Sequence, residues 1–236
     1  SSAASDVYKR QEEAPHTAGT AEERLLAFIG GKSESSLLMD AFNILLEEDI
    51  FRTNPQALEK LTGWVNARDA GRQPAAMYAM GSLLLAKDDL AGAVKMAEDG
   101  LSKYPQSLPV QTLSLNTITT LLDKNRVEDA ERLISKYPGT SPGLVFQQGA
   151  LAFRKGDYPL AQSLFREAAR RASEKTAESA LFNENLAALN ANDAAGAAAL
   201  VKEAAGSAQL REHILFEQAH LSLIHISEPT RHSLIS

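Results

Sequence analysis

Cysteine is missing from all 236 residues. That removes disulfides, zinc–thiolate sites and thiol catalysis together, and it is compatible with cytoplasm and periplasm alike. Long apolar runs are missing too: nothing approaches the ~18 residues that a membrane-spanning helix requires. Positive charge is in deficit, with 24 Lys+Arg against 30 Asp+Glu and a net charge of −6. An acidic chain lacks the basic footprint of a nucleic-acid binder and the polybasic surface that anionic lipid attracts. Histidine is sparse. His16 lies in a polar stretch, and His213 and His220 are seven residues apart. That is two helical turns, too far for one metal ion. The glycine-containing "GTSPG" and "GSAQ" lack the Lys-Ser/Thr ending and preceding strand of a phosphate loop and read as helix–helix turns. Acidic Glu47-Glu48-Asp49 reads as a solvated helix end. No catalytic constellation, cofactor motif or metal-ligand set emerges.

What is present is a repeat. "GSLLLAKDDLAGAVKMAEDGLSKYP" begins at Gly81 and "GALAFRKGDYPLAQSLFREAARRAS" at Gly149, 68 residues later. Ala93 and Ala161, and Asp89 and Asp157, share that offset, which is twice a 34-residue period. Around each glycine, small residues recur where two helices would approach closely, and large apolar residues recur between them. Ala161, Phe165 and Ala168 hold these slots in one copy, and Ala93, Ala97 and Gly100 in the other. In "KGDYPLA", Gly156 suits the positive φ that ends a helix, and Asp157 suits the N-cap of the next. "TLSLNTITTLLDKNRVEDAERLISKYP" lies between the two copies, with its small residue Ala130 displaced by three positions and a short second helix. A fourth unit follows, "AESALFNENLAALNANDAAGAAALVKEAA", with Asn185 in the glycine slot and Asp193 as cap. "SAQLREHILFEQAH" reads as the first helix of a fifth.

These residues resemble the tetratricopeptide repeat, strongly from about Pro74 to Ala205 and weakly before it. The resemblance implies an all-α, right-handed solenoid of antiparallel helix pairs. Turns are expected near residues 87–89, 124–127, 155–157 and 191–193. Upstream, "ESSLLMDAFNILLEED" and "NPQALEKLTGWVNARDAG" read as two amphipathic helices joined by "IFRT", a divergent pair in which Asn54-Pro55 starts a helix. "TAEERLLAFIGG" reads as a short helix with a glycine stop, and "EEAPHTAG" as linker.

The two ends read differently from the rest. GATGTGTATAAGAGACAG encodes "DVYKRQ", and its reverse complement encodes "LSLIHI". Ser1–Gln11 and Leu221–Ser236 resemble translated adapters of transposase-based sequencing libraries, and such scars are set aside before the fold is read. On that reading the organisation is adapter 1–11, linker 12–19, a divergent helical region 20–73, the repeat array 74–220 with its last unit truncated, and adapter 221–236. Asp6, Lys9 and Arg10 come to +1, and Glu228 with Arg231 to zero, so residues 12–220 carry −7. Pro229 is expected to stop any helix that runs on past His220.

The resemblance also implies where a partner would bind. In such arrays the first helix of each pair lines an extended concave face used for recognition. The positions flanking the glycine slot are Tyr78 in the Gly81 unit, Phe146, Phe153 and Arg154 in the Gly149 unit, and Phe182, Leu186 and Asn190 in the unit after it. Only Arg154 and Asn190 resemble a carboxylate-binding set. The rest is apolar and aromatic, as a groove for an apolar peptide or amphipathic helix would be. Burial of the same rings between repeats is the competing reading. The expected function is that of a protein–protein scaffold or adaptor without catalysis of its own, whose partner is a protein or peptide. The alternative is a regulatory segment of a larger enzyme or of a secretion or envelope-assembly protein.

Overall fold

The computed structural model describes residues 19–31 and 36–232, with backbone only for Glu174, Lys175, Ala205 and 221–232. Among the described residues every regular element is helical: thirteen α-helices, one 3-10 turn and no strands. The chain divides into two compact units at Leu83/Leu84, inside α5. The linker at 12–18 and the first adapter-like stretch lie outside the described residues.

The first unit holds α1 (Ala21–Gly31), α2 (Leu38–Glu47), α3 (Ile50–Thr53), α4 (Pro55–Asn66) and most of α5 (Gln73–Ala86). A reciprocal cap starts α1: Thr20 N donates to Glu23 Oε2 at 2.8 Å, and Glu23 N donates to Thr20 Oγ1 at 3.1 Å, which satisfies two otherwise orphaned donors. Asn54 Oδ1 accepts from Gln56 N and Ala57 N at the start of α4, with Pro55 at its first position. "IFRT" is more than a connector. It forms α3, because Phe51 is an apolar anchor that is buried when this turn coils. Phe42 is fully buried beside it, 6.3 Å from the Phe51 ring and edge-on to Trp64 at 5.8 Å.

The second unit continues with α6 (Leu90–Lys103), α7 (Leu108–Asp123), α8 (Val127–Lys136), α9 (Pro142–Arg154), α10 (Tyr158–Arg171), α11 (Glu174–Asn190), α12 (Ala194–Glu203), the 3-10 turn Ala204–Gly206 and α13 (Ala208–His232). Successive helices pack on each other. Alternate ones do so as well: α7 on α9, α9 on α11 and α11 on α13 form one layer, and α6 on α8 another. Each helix pair therefore buries apolar surface against its neighbours that it could not bury alone. The pairing of α9 with α10 is antiparallel, since Ala152 clusters with Ala161 while Val145 clusters with Ala168.

Four turns of one design make this possible. The helices leave open 87–89, 124–126, 155–157 and 191–193, where the repeat pattern put them, with Val127 already helical. The middle residue of each is left-handed: Asp88 (φ 62°), Asn125 (57°), Gly156 (78°) and Asn192 (57°). The next residue's N–H donates five back, as Asp89 to Leu84 O, Arg126 to Leu121 O, Asp157 to Ala152 O and Asp193 to Ala188 O, at 2.7–3.0 Å. That bond closes a Schellman motif. Asp89, Asp157 and Asp193 then cap the following helix through Gly92 N, Leu160 N and Gly196 N. Arg126 cannot cap and instead pairs with Asp129 at 2.5 Å. The left-handed residues are 37, 31 and 36 apart, so the late second turn is compensated by the third.

The small-residue slots lie where helices meet. Ala93, Ala97, Ala130, Ala161 and Ala168 are all fully buried. A Cβ on Gly149 would stand 2.9 Å from the Phe165 ring, so α9 and α10 approach at a distance only glycine permits there. Asn185, in the same slot of α11, is also fully buried, and its Oδ1 accepts from Gln218 Nε2 of α13 at 2.9 Å. α13 runs unbroken to His232, through the Pro229 expected to end it. A proline removes one hydrogen bond and crowds the preceding turn, and here the helical backbone continues past it.

Ala161→Leu is expected to overpack the α9–α10 crossing and cost roughly 1–3 kcal/mol in chemical denaturation. Gly156→Ala, which leaves packing alone but strains a φ of 78°, is expected to cost roughly 1 kcal/mol and to leave the denaturant slope unchanged.

Candidate interaction groove

The layer made by α7, α9, α11 and α13 carries an open groove. Its first cavity holds about 290 Å³ and is lined from α7, α9, α10 and α11, with Leu122, Phe146, Ala150, Phe153, Phe165 and Leu186 as its apolar wall. Arg154 and Asp123, the last residues of α9 and α7, stand on its rim. A second cavity of about 370 Å³ lies between α11 and α13, with Phe182, Leu210 and His213 in its wall and Glu178 at its edge. Asn183 lines both cavities, so they adjoin across one side chain.

Helix periodicity brings these groups together. Phe146 and Phe153 are seven apart, hence two turns apart on one face of α9. Both are half-buried. Phe146 rests edge-on against the buried Phe165 at 5.3 Å, and Phe153 against Tyr158 at 5.3 Å. Phe182 is half-buried, with His213 of α13 edge-on at 6.3 Å. Gln147 Nε2 donates to Thr119 Oγ1 at 2.8 Å and ties α9 to α7 beside the first cavity. Of the residues singled out by sequence, Phe146, Phe153, Arg154 and Leu186 share the first cavity and Phe182 lines the second. Asn190 is exposed and lines neither, and its Nδ2 donates to Leu186 O within its own helix. Tyr78 belongs to the first unit, where it is buried and its hydroxyl donates to Asn43 Oδ1 at 2.8 Å.

Sequence reasoning missed Thr119, Leu122, Asp123, Gln147 and Asn183. The first three sit on α7, whose displaced turn obscures the register. The last two had a readable signal: Phe146-Gln147 and Phe182-Asn183 each put a side-chain amide after a phenylalanine, 36 residues apart, and Phe216-Glu217 puts a carboxylate in that place 34 later. Phe216, 66% exposed with His220 stacked on it at 5.9 Å, continues the row of rings on α13.

The opposite layer carries a cleft of a different kind. Between α6 and α8 it holds about 210 Å³ and is edged by Lys95, Glu98, Arg126, Asp129 and Arg132. Glu98 accepts from Arg132 Nε at 3.1 Å and pairs with Lys136 at 3.0 Å, while Asp129 holds both Arg126 and Arg132. Burial pushes the Glu98 carboxyl upward, but the hydrogen bonds and charges of Lys136 and Arg132 outweigh it and hold it below the ordinary range. Both carboxylates are thus satisfied within the chain.

Glu184, on α11, is nearly fully buried. Arg166 of α10 grips its Oε1 at 2.7 Å and Glu203 of α12 at 2.5 Å, leaving Glu184 Oε2 buried without a partner. Burial raises the Glu184 carboxyl above its ordinary 4.5; Arg166 pulls it down, incompletely, and Glu203 adds repulsion. Among the described residues no group of three His, Cys, Asp or Glu side chains is placed to hold a metal ion, and no helix is long and apolar enough to cross a membrane.

No protein-family model matches the chain, and no curated protein sequence does. The fold is similar to that of BtubC (BKLC) from P. vanneervenii, seen in a crystal structure, with a TM-score of 0.59 over 82% of this chain and 92% of that one. At 16% identity the likeness is one of fold.

The raised Glu184 value sets a pH dependence. Native Glu184 keeps its proton in a window just above pH 4.5 where the unfolded chain has lost it, so stability falls as pH rises through that window. Glu184→Gln is expected to flatten this slope. Thermal melts of both proteins between about pH 4 and 7 check it: the wild type loses stability relative to the variant as pH rises.

Proposed function

We propose that this chain is a tetratricopeptide-repeat protein whose work is protein–protein interaction. On this reading the layer of first helices is the inner face of a right-handed superhelix, and it captures an apolar peptide or amphipathic helix of a partner. The observation that carries the proposal is the groove itself. Rings from α9 and α11 stay half-buried along adjoining cavities, although other large side chains of the same unit, such as Phe165 and Leu133, are completely covered. Half-covered aromatics beside polar groups are what recognition surfaces use as anchors. The fold likeness fits such a role without naming a partner. The proposed role involves no chemistry by the chain itself.

The test separates groove from core. Phe153→Ala is expected to weaken binding of amphipathic-helix peptides, read by fluorescence anisotropy, by at least about tenfold, at a stability cost of roughly 1–2 kcal/mol. Phe165→Ala, in the core, is expected to cost roughly 3–5 kcal/mol. Equal and large losses of stability from both would make the Phe153 ring core and remove the groove. The adapter reading of the ends is likewise a proposal. A chain of residues 12–220 is expected to keep the helicity per residue and the melting temperature of the 236-residue chain.

A further inference from the structure

Resting on the groove reading, a narrower question is which partner chemistry the first cavity prefers. At about 290 Å³ it falls at the small end of ligand pockets, about 300–1,000 Å³. It suits one bulky side chain rather than a whole cofactor, and its continuation past Asn183 suits an elongated occupant. The rim supplies the charge. Arg126, Arg132, Arg166 and Arg171 each hold a carboxylate at 2.5–3.1 Å. Arg154 does not: its nearest carboxylate oxygen, Asp123 Oδ1, is 3.8 Å away, and the two side chains are 43% and 70% exposed. That separation is beyond hydrogen-bond reach, so the planar fork of donors on Arg154 is largely unspent and available to grip a carboxylate in bidentate fashion.

The helix ends explain why the contact is loose and which partner of it is fixed. Asp123 closes α7 and Arg154 closes α9. A helix C-terminus repels a carboxylate and favours a cation, so Asp123 is poorly placed where it stands and Arg154 is well placed.

We propose that the first cavity recognises a partner peptide in which an aromatic or large aliphatic side chain lies close to a carboxylate, and that Asp123 is an internal competitor for Arg154 that tempers this binding. The apolar side chain packs against Phe146, Phe153 and Leu186. The partner's carboxylate takes the Arg154 fork, and Asp123 swings into solvent.

The experiment uses the full chain and a panel of N-acetylated, C-amidated fluorescent peptides. Each carries one Phe or Leu followed at a spacing of one to four residues by Glu, and each has a counterpart with Gln. The wild type is expected to prefer the best Glu peptide over its Gln counterpart by about five- to tenfold, and the preference shrinks as salt is added. Arg154→Gln is expected to abolish the preference. Asp123→Asn is expected to tighten Glu peptides about two- to threefold and to leave Gln peptides unchanged, an opposite sign that general damage would not produce. Both positions are exposed, and unchanged melting confirms that the variants fold. Equal affinity for Glu and Gln peptides, or a preference that survives Arg154→Gln, overturns the proposal. If Phe153→Ala weakens every peptide and no Glu preference exists, the groove reading stands and this one falls. If no peptide binds, both fall.

Discussion

Everything in the second unit depends on how closely one helix can approach the next. At Gly149 the backbone of α9 comes so near Phe165 that a single added carbon would meet the ring at 2.9 Å. That approach lets Phe165 be fully buried and gives Phe146 a ring to lean on. Phe146 packs, half-buried, against Phe165 in one cluster and against Val145, Ala168 and Ala180 in another, and it also lines the groove. Small residues elsewhere serve the same end. Ala93, Ala97, Ala130 and Ala161 have no exposed surface, and with nothing longer than a methyl group at these crossings the apolar faces make continuous contact. In α11 the slot holds Asn185, and the solution is polar: Gln218 bridges Asn185 Oδ1 and Ala197 O at 2.9 Å each. The junction of α11, α12 and α13 is thus held by hydrogen bonds where the earlier one relies on a missing side chain.

The turns carry the second constraint. A three-residue connection reverses the chain only if its middle residue adopts a left-handed backbone, which costs an ordinary L-residue roughly 1–2 kcal/mol. Glycine fills that position once; Asp and Asn, which tolerate the conformation best among side-chain-bearing residues, fill it three times. The repeat length can drift from 37 to 31 to 36 residues because each turn is built locally. Between the turns both the helices and the connections 104–107, 137–141 and 172–173 change length, and the shortest spacing contains the short second helix α8.

The two layers differ in what they leave unfinished. Between α6 and α8 the acids and bases complete one another, and the Glu98 carboxyl is held low by two cations. On the layer of first helices the rings are half-covered and the Arg154–Asp123 contact stays open at 3.8 Å. Unspent interaction capacity, rather than cavity size, distinguishes a surface that can accept a partner from one that already has one. Glu184 shows the cost of the same logic inside the array, where burial lifts its carboxyl above the ordinary range and leaves one oxygen without a donor.

The helical class, the four turns and the helix-crossing positions of Ala93 and Ala161 were legible in the chain because they are local. A left-handed residue, an aspartate cap and a small residue at fixed offsets report backbone geometry over a few bonds. Five positions that line the cavities, Phe146, Phe153, Arg154, Phe182 and Leu186, followed from the resemblance to the repeat, which singles out the residues flanking the glycine slot. Tyr78 and Asn190 were singled out with them, and tertiary structure treated them otherwise: an Asn43 drawn near by the fold of α2 takes the Tyr78 hydroxyl, and Asn190 turns its amide back onto its own helix. The short α3, made from "IFRT", formed because Phe51 had a core to enter, a fact four residues cannot announce. Thr119, Leu122 and Asp123 became groove residues only once α7 had packed on α9, since a displaced turn hides register from any count along the chain. Sequence determines which backbone each stretch prefers. Which side chains remain half-covered depends on what arrives from 28 or 33 residues away, as Gln147 does at Thr119 and Gln218 at Asn185, and only packing decides that.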